Sequence, residues 1–156
     1  MIKKGLIITL LVIFLLFLTS CSKNIEEMTD DQKAAEEQTA SSLQSSTILK
    51  TGSFEGRAHP TSGEIKIVES NGEKFLVLPE DFQTDSGPLL HVILAEHQDP
   101  MSSSNLHEGQ YIDLGVLKST KGTQAYKITE GDLEKFNTVV IYCKPFKVVF
   151  GVAKLS

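Results

Sequence analysis

Glu64-Ile65-Lys66-Ile67-Val68-Glu69 alternates apolar and charged residues, Asn71-Gly72 follows, and Phe75-Leu76-Val77-Leu78 returns. Two β-patterned runs on either side of Asn-Gly predict a hairpin, because a type I′ turn needs positive φ at both central residues and this dipeptide tolerates it. The same grammar extends outward. Leu89 to Ala95 is a near-continuous apolar run introduced by Gly87-Pro88, which predicts a strand buried on both faces or nearly so. Tyr111 to Lys118 and Ala125 to Ile128 flank a turn at Lys121-Gly122. Thr138 to Cys143 and Phe146 to Ala153 flank Lys144-Pro145, where Pro cannot extend a ladder. Asp132-Leu133-Glu134-Lys135-Phe136 fits one helical turn capped by Asp132. Nothing after Lys50 sustains a helical period. Seven or eight short strands with turns at these spacings predict an all-β fold, an antiparallel sandwich or barrel, over residues 51–156.

Upstream the chain changes character twice. Met1-Ile2-Lys3-Lys4 is a short cationic start, and Leu6 to Leu18 is almost wholly Leu, Ile, Val and Phe. As a helix this run is roughly 20 Å long, short of a bilayer core of about 30 Å, and it reads as a secretory signal peptide over residues 1–20. Leu18-Thr19-Ser20-Cys21 resembles the bacterial lipobox, in which the Cys is acylated and becomes the new N-terminus. On that reading Cys21 is a lipid anchor, with acyl chains such as palmitate holding the protein on the extracytoplasmic face of the cell membrane. Residues 21–50 carry Lys23, Lys33 and Lys50 against Glu26, Glu27, Asp30, Asp31, Glu36 and Glu37, with no sustained apolar period. Thr29-Asp30-Asp31-Gln32 has the form of a capping box, so a weak helix from Asp30 to about Gln38 is expected within a solvated tether.

Charge and cysteine count narrow the function. The 156 residues carry 15 Lys+Arg against 20 Asp+Glu, a net charge of -5 that argues against a nucleic-acid partner. Two Cys are too few for a disulfide scaffold or a Cys-rich zinc or iron–sulfur site. With Cys21 acylated, Cys143 has no partner within its chain. Period two puts Cys143 on one face with Val139 and Ile141, which suits a buried Cys acting as a small hydrophobe. Against this, Cys143 ends its strand beside Lys144, a cation of the kind that favours a thiolate, in an oxidising compartment where a lone thiol must be shielded or used. Blue copper is disfavoured: His59, His91, His97, His107 and Met101 are present, but no His or Met follows Cys143. Haem through the Cys143 thiolate is chemically possible, though without a C-x-x-C-H motif it would be non-covalent. His91, in an apolar strand, reads as a hydrogen-bonded core residue. His97, Met101 and His107 fall in a polar stretch, Glu96 to Gln110, read as a solvated loop. Hydrolase chemistry finds no G-x-S-x-G around Ser62 or elsewhere.

Four blocks of the domain, in order, resemble the electron-transfer DM-thirteen domain family. They are Gly52-Ser53-Phe54-Glu55-Gly56-Arg57-Ala58-His59-Pro60-Thr61-Ser62-Gly63, then Leu78 to Leu90, then Leu114-Gly115-Val116-Leu117-Lys118 with Gly122 to Tyr126, and finally Val139 to Leu155. The resemblance covers residues 50–156. Two positions depart from the family pattern: Leu89 where an acid usually follows Gly-Pro, and Ser119 where Gly is usual. The resemblance implies a β-rich extracellular redox module whose working residue is Cys143, as bare thiol or through a prosthetic group such as haem. It also singles out His59 and Ser62, which join Lys144, the chain neighbour of Cys143, as binding-site candidates. The expectation is therefore a membrane-anchored electron-transfer module with an unknown redox partner, rather than a stand-alone enzyme. The rival is a non-catalytic surface module that binds a protein or glycan through loops such as Glu96 to Gln110, with Cys143 in the core.

Overall fold

The Asn71-Gly72 hairpin closes as its sequence demands. Strands β3 (Glu64–Ser70) and β4 (Glu73–Leu78) pair antiparallel up to Ser70 opposite Glu73. Asn71 and Gly72 sit at φ 53 and 77, the two positive values that a type I′ turn requires. The computed structural model describes Asp30, Asp31, Ala34, Gln38, Ser42 and residues 46–156. Those five separate residues are helical and exposed. The leader, Cys21 and the rest of the expected tether lie outside the described residues.

The other strands are β1 (Thr47–Gly56), β2 (Thr61–Ser62), β5 (Gln83–Thr84), β6 (Leu90–Ala95), β7 (Tyr111–Val116), β8 (Gln124–Ile128), β9 (Thr138–Cys143) and β10 (Val148–Lys154). A short helix, α1 (Ser103–Leu106), precedes β7, and a 3-10 turn, Leu133–Lys135 capped by Asp132, precedes β9. Eight strands form one antiparallel sheet in the order β7-β6-β9-β10-β1-β3-β4-β8, while β2 and β5 pair separately. The fold is all-β, and the large sheet curls into a nearly closed barrel. β1 begins at Thr47, four residues before the domain boundary expected from composition. The Lys50 ammonium, donating to the carbonyls of Leu133 and Phe136, pins that early stretch to the 3-10 turn before β9.

The seam between the end strands is closed by side chains. The Gln124 side chain, fully buried, accepts from the backbone N–H groups of Lys118 (3.1 Å) and Ser119 (3.2 Å) and donates to Ser119 O (2.9 Å). Tyr126 adds its hydroxyl, which accepts from Lys118 N and donates to Gln124 Oε1 at 2.7 Å. A buried amide with its hydrogen bonds satisfied fixes how the sheet edges meet, where an unpaired one would be costly.

Alternation along β6 and β9 divides the core. Leu90, Val92 and Leu94 on β6 and Val139, Ile141 and Cys143 on β9 face the barrel interior, with Ile65, Leu76, Phe82 and Phe150. Ile93, Ala95, Val140 and Tyr142 face outward, where Leu106 of α1 covers them. Both strands are thus buried on both faces, as the apolar run of β6 predicts.

Candidate functional site

Cys143 ends β9 between Leu90 of β6 and Val148 of β10. Its side chain has no exposed surface, and it is a free thiol. Sγ donates to the carbonyl oxygen of Pro88 at 3.2 Å. Pro88 and Leu89 are themselves exposed, so the sulfur's hydrogen-bond acceptor belongs to the surface segment that leads into β6. That segment is held by Lys144 N, which donates to Leu89 O at 3.4 Å. Leu89 stands at φ 48, a left-handed conformation that a non-glycine residue rarely adopts. At Gly87 a Cβ would lie 2.7 Å from Phe150 Cζ and 3.0 Å from Leu90 Cδ2, so only glycine lets the segment come this close to the core.

His59 enters from the β1–β2 loop and stacks on the buried ring of Phe150, with centroids 3.8 Å apart at 24°. Its Nδ1 bonds Asp85 Oδ2 at 3.1 Å. His59 therefore sits on the outside of the same Phe150 ring that presses against Gly87 from within. Ser62 is exposed on β2, where its Oγ accepts from Gln83 Nε2 at 3.3 Å. Lys144 follows Cys143 in the chain, yet its ammonium reaches Asp113 Oδ2 at 2.5 Å on the outer face. The structure thus gathers Cys143, the Gly87–Leu89 segment, Phe150 and His59 at one end of the barrel, and turns Lys144 towards an acid.

Asp113 was not among the residues that sequence reasoning singled out. It accepts from His91 Nδ1 at 2.8 Å, from Lys144 Nζ and from the Gly115 N–H at 2.9 Å. Partial burial pushes its carboxyl up, but the bonds from Lys144, His91 and Gly115 outweigh this and hold it below the ordinary carboxylate range. The signal was present in the alternation of Tyr111-Ile112-Asp113-Leu114, which puts Asp113 opposite the core-facing Ile112 and Leu114. His91 is the hydrogen-bonded, buried histidine expected of its strand.

The stretch Glu96 to Gln110 departs from its reading as a merely solvated loop. It contains α1, buries Leu106 completely, and holds Asp99 against Arg57 Nη2 (2.6 Å) and Lys154 Nζ (3.0 Å). Its His97 is partly covered, with Nδ1 accepting from Asp99 N at 3.0 Å, while Met101 is exposed. Two apolar residues five positions apart, Met101 and Leu106, give no periodic signal in a polar run, which is why the cover Leu106 provides escapes the sequence.

Haem ligation by Cys143 does not fit: the sulfur points into the packed interior among Leu90, Val139 and Ile141, with no exposed surface from which to meet a porphyrin iron. No group of three or more His, Cys, Asp or Glu side chains stands together as a metal cradle among the described residues.

The sequence of residues 53–155 matches the family model described as electron transfer DM13. No curated protein matches the chain, and no solved structure does. The match spans about two thirds of the chain, so the chain belongs to the electron transfer DM13 family.

Proposed function

We propose that this member of the electron transfer DM13 family is an extracytoplasmic electron-transfer module, lipid-anchored to the membrane through Cys21, in which Cys143 is the working thiol and the Gly87–Leu89 segment is its gate. The observation that carries the reading is the cover over the sulfur: its hydrogen-bond acceptor lies in an exposed segment whose next residue, Leu89, is held at φ 48. Left-handed backbone costs a non-glycine residue about 1–2 kcal/mol, so strain is stored beside the thiol and not in the sheet. Such a segment opens at lower free energy than the strands around it. Once uncovered, the Cys143 thiolate attacks one sulfur of a disulfide on a partner protein. A mixed disulfide forms, the partner's S–S bond breaks, and its second sulfur leaves as a thiolate that takes up the proton Cys143 has lost. His59 and Ser62 lie on the adjoining loop and strand, where an incoming partner would meet them.

The test is reaction of the native chain with a small uncharged thiol reagent in a Cys21→Ser background, followed across reagent concentrations. The expected result is one modified thiol, with a rate that levels off at the opening rate of the segment while the far-ultraviolet circular dichroism stays native. Reaction only in step with global unfolding would remove Cys143 from any redox role. The complete burial of Cys143 favours one other reading, a surface-binding module with the thiol as core. Cys143→Ala separates the two: partner reduction is lost under the first, and only stability under the second.

A further inference from the structure

We infer that the outer face of the barrel carries a binding site for a planar aromatic anion, in a groove of about 600 Å³ between α1 and the β9–β10 turn. Its volume lies in the range of small-molecule sites. Ile93, buried at the edge of the second core, supplies an apolar floor. Three rings border the slot. His107 stands edge-on to Tyr111, with centroids 5.1 Å apart at 78°, and its ring lies 6.4 Å from that of Tyr142 at 68°. The His107 ring is fixed, since Nδ1 donates to Ser103 O at 2.5 Å. Tyr142 is fixed as well, its hydroxyl 2.7 Å from Ser103 Oγ. The aromatic walls are thus in place before any ligand arrives, which lowers the ordering cost of binding.

The charge at the mouth selects the ligand's sign. Two lysines line the groove, and they differ. Lys144 is already held by Asp113. Lys147 is exposed, and no acidic partner for its ammonium stands among the described residues. Its backbone is set at φ 55, with its N–H donating to Lys144 O at 3.3 Å, so the turn fixes where the side chain starts. A flat ring system in the slot with a phosphate, sulfonate or carboxylate towards Lys147 satisfies every part of this lining. Ser104, also on the wall, has its hydroxyl engaged with Ser102 Oγ at 2.9 Å, which leaves the charge selection to Lys147. Tyr142 and Cys143 are successive residues of β9 on opposite faces, so a ligand here lies across one strand from the thiol. The binding itself does not require that thiol to be redox-active.

The probe is flavin mononucleotide alone, titrated with the purified full chain and followed by quenching of flavin fluorescence. Saturable quenching is expected, with affinity falling by about tenfold or more in Lys147→Glu and in Tyr111→Ala. Both replaced side chains are exposed, and unchanged thermal melts confirm that each variant is folded. Riboflavin, which lacks the phosphate, binds several-fold more weakly. Affinity is retained in Cys143→Ala, which keeps this result separate from the fate of the thiol. No saturation at millimolar protein, or equal affinity in Lys147→Glu, overturns the assignment; so does loss of binding in Cys143→Ala, which would move the ligand to the interior.

Discussion

Leu89 is a branched, half-exposed side chain held at φ 48 between a proline and the first residue of β6. Its side chain gains little from burial, so the strain is not repaid where it arises. The position is the one where the family pattern usually has an acid, and short polar side chains occupy left-handed backbone far more readily than leucine does. Leu89→Asn is therefore expected to raise stability by about 1 kcal/mol in a urea titration, and to slow native labelling of Cys143 by about fivefold as the segment opens less often. A stabilised variant with unchanged labelling would mean that reagent reaches the sulfur by another route. At this scale the sequence was half legible. Period two put Cys143 beside Val139 and Ile141, and the three do share the interior. Adjacency in the chain does not give the place of the Lys144 ammonium: Lys144 is the first residue of the turn past β9, and its ammonium reaches Asp113. The backbone of Leu89 was not legible at all: leucine has no preference for positive φ, and the groups that hold its segment, Lys144 N on the Leu89 carbonyl and the Phe150 ring at Gly87, come from residues more than fifty positions away.

Three strands meet at Asp113: its own β7, β6 through His91, and the end of β9 through Lys144. This carboxylate therefore ties the β6–β7 and β6–β9 pairings together on the outer face at the end where Cys143 lies on the inner one. Its pKa is held below the unfolded value, so between the two the native state binds fewer protons than the unfolded chain. The stabilisation is fully present above the unfolded value, near pH 4, and is lost as pH falls through the lower folded value. Asp113→Asn is expected to flatten the decline of melting temperature below about pH 4 and to lower the melting temperature at neutral pH. An unchanged acid limb in that variant would place the acid sensitivity elsewhere, with Asp99 the next carboxylate to examine, its pKa lowered by bonds from Arg57 and Lys154. The strands themselves were largely legible, since β3, β4, β6 and β9 follow from alternation and turn residues alone. The cover over β6 and β9 was not: it is the outward Ile93, Val140 and Tyr142 that call for Leu106, a demand visible only once the two strands lie side by side.

Across the molecule, β1 sets a direction. It runs from Thr47, near Glu69 and the Asn71-Gly72 turn, to Gly56, which pairs with Gly151. Ten residues of strand span roughly 30 Å. Cys143 pairs with Val148, beyond Gly151, and so lies at the end of the barrel away from Thr47. Exposed Leu89, Val116 and Phe146 gather near that same far end, around the neighbouring ends of β6, β7 and β9. With the chain anchored at Cys21 as proposed, the tether joins the domain at its Thr47 end, and the thiol lies at the opposite end of the barrel. The residues between Cys21 and Thr47 reach at most roughly 85 Å extended, or about 40 Å as helix, and they keep Thr47 the end of the domain closer along the chain to the lipid. The order of the strands, and hence this polarity, was not legible: short-range patterns give strands and turns, but which strand lies beside β1 is decided by pairing β10 with residues almost a hundred positions earlier. The consequence is measurable. In a Cys143→Ala background, a fluorophore on Thr47→Cys in the membrane-reconstituted chain should be quenched strongly by lipids carrying a headgroup quencher, and the same fluorophore on Phe146→Cys only weakly. Equal quenching at both positions would mean that the barrel lies on its side against the membrane, with its thiol end open to partners within the bilayer surface and not to those beyond it.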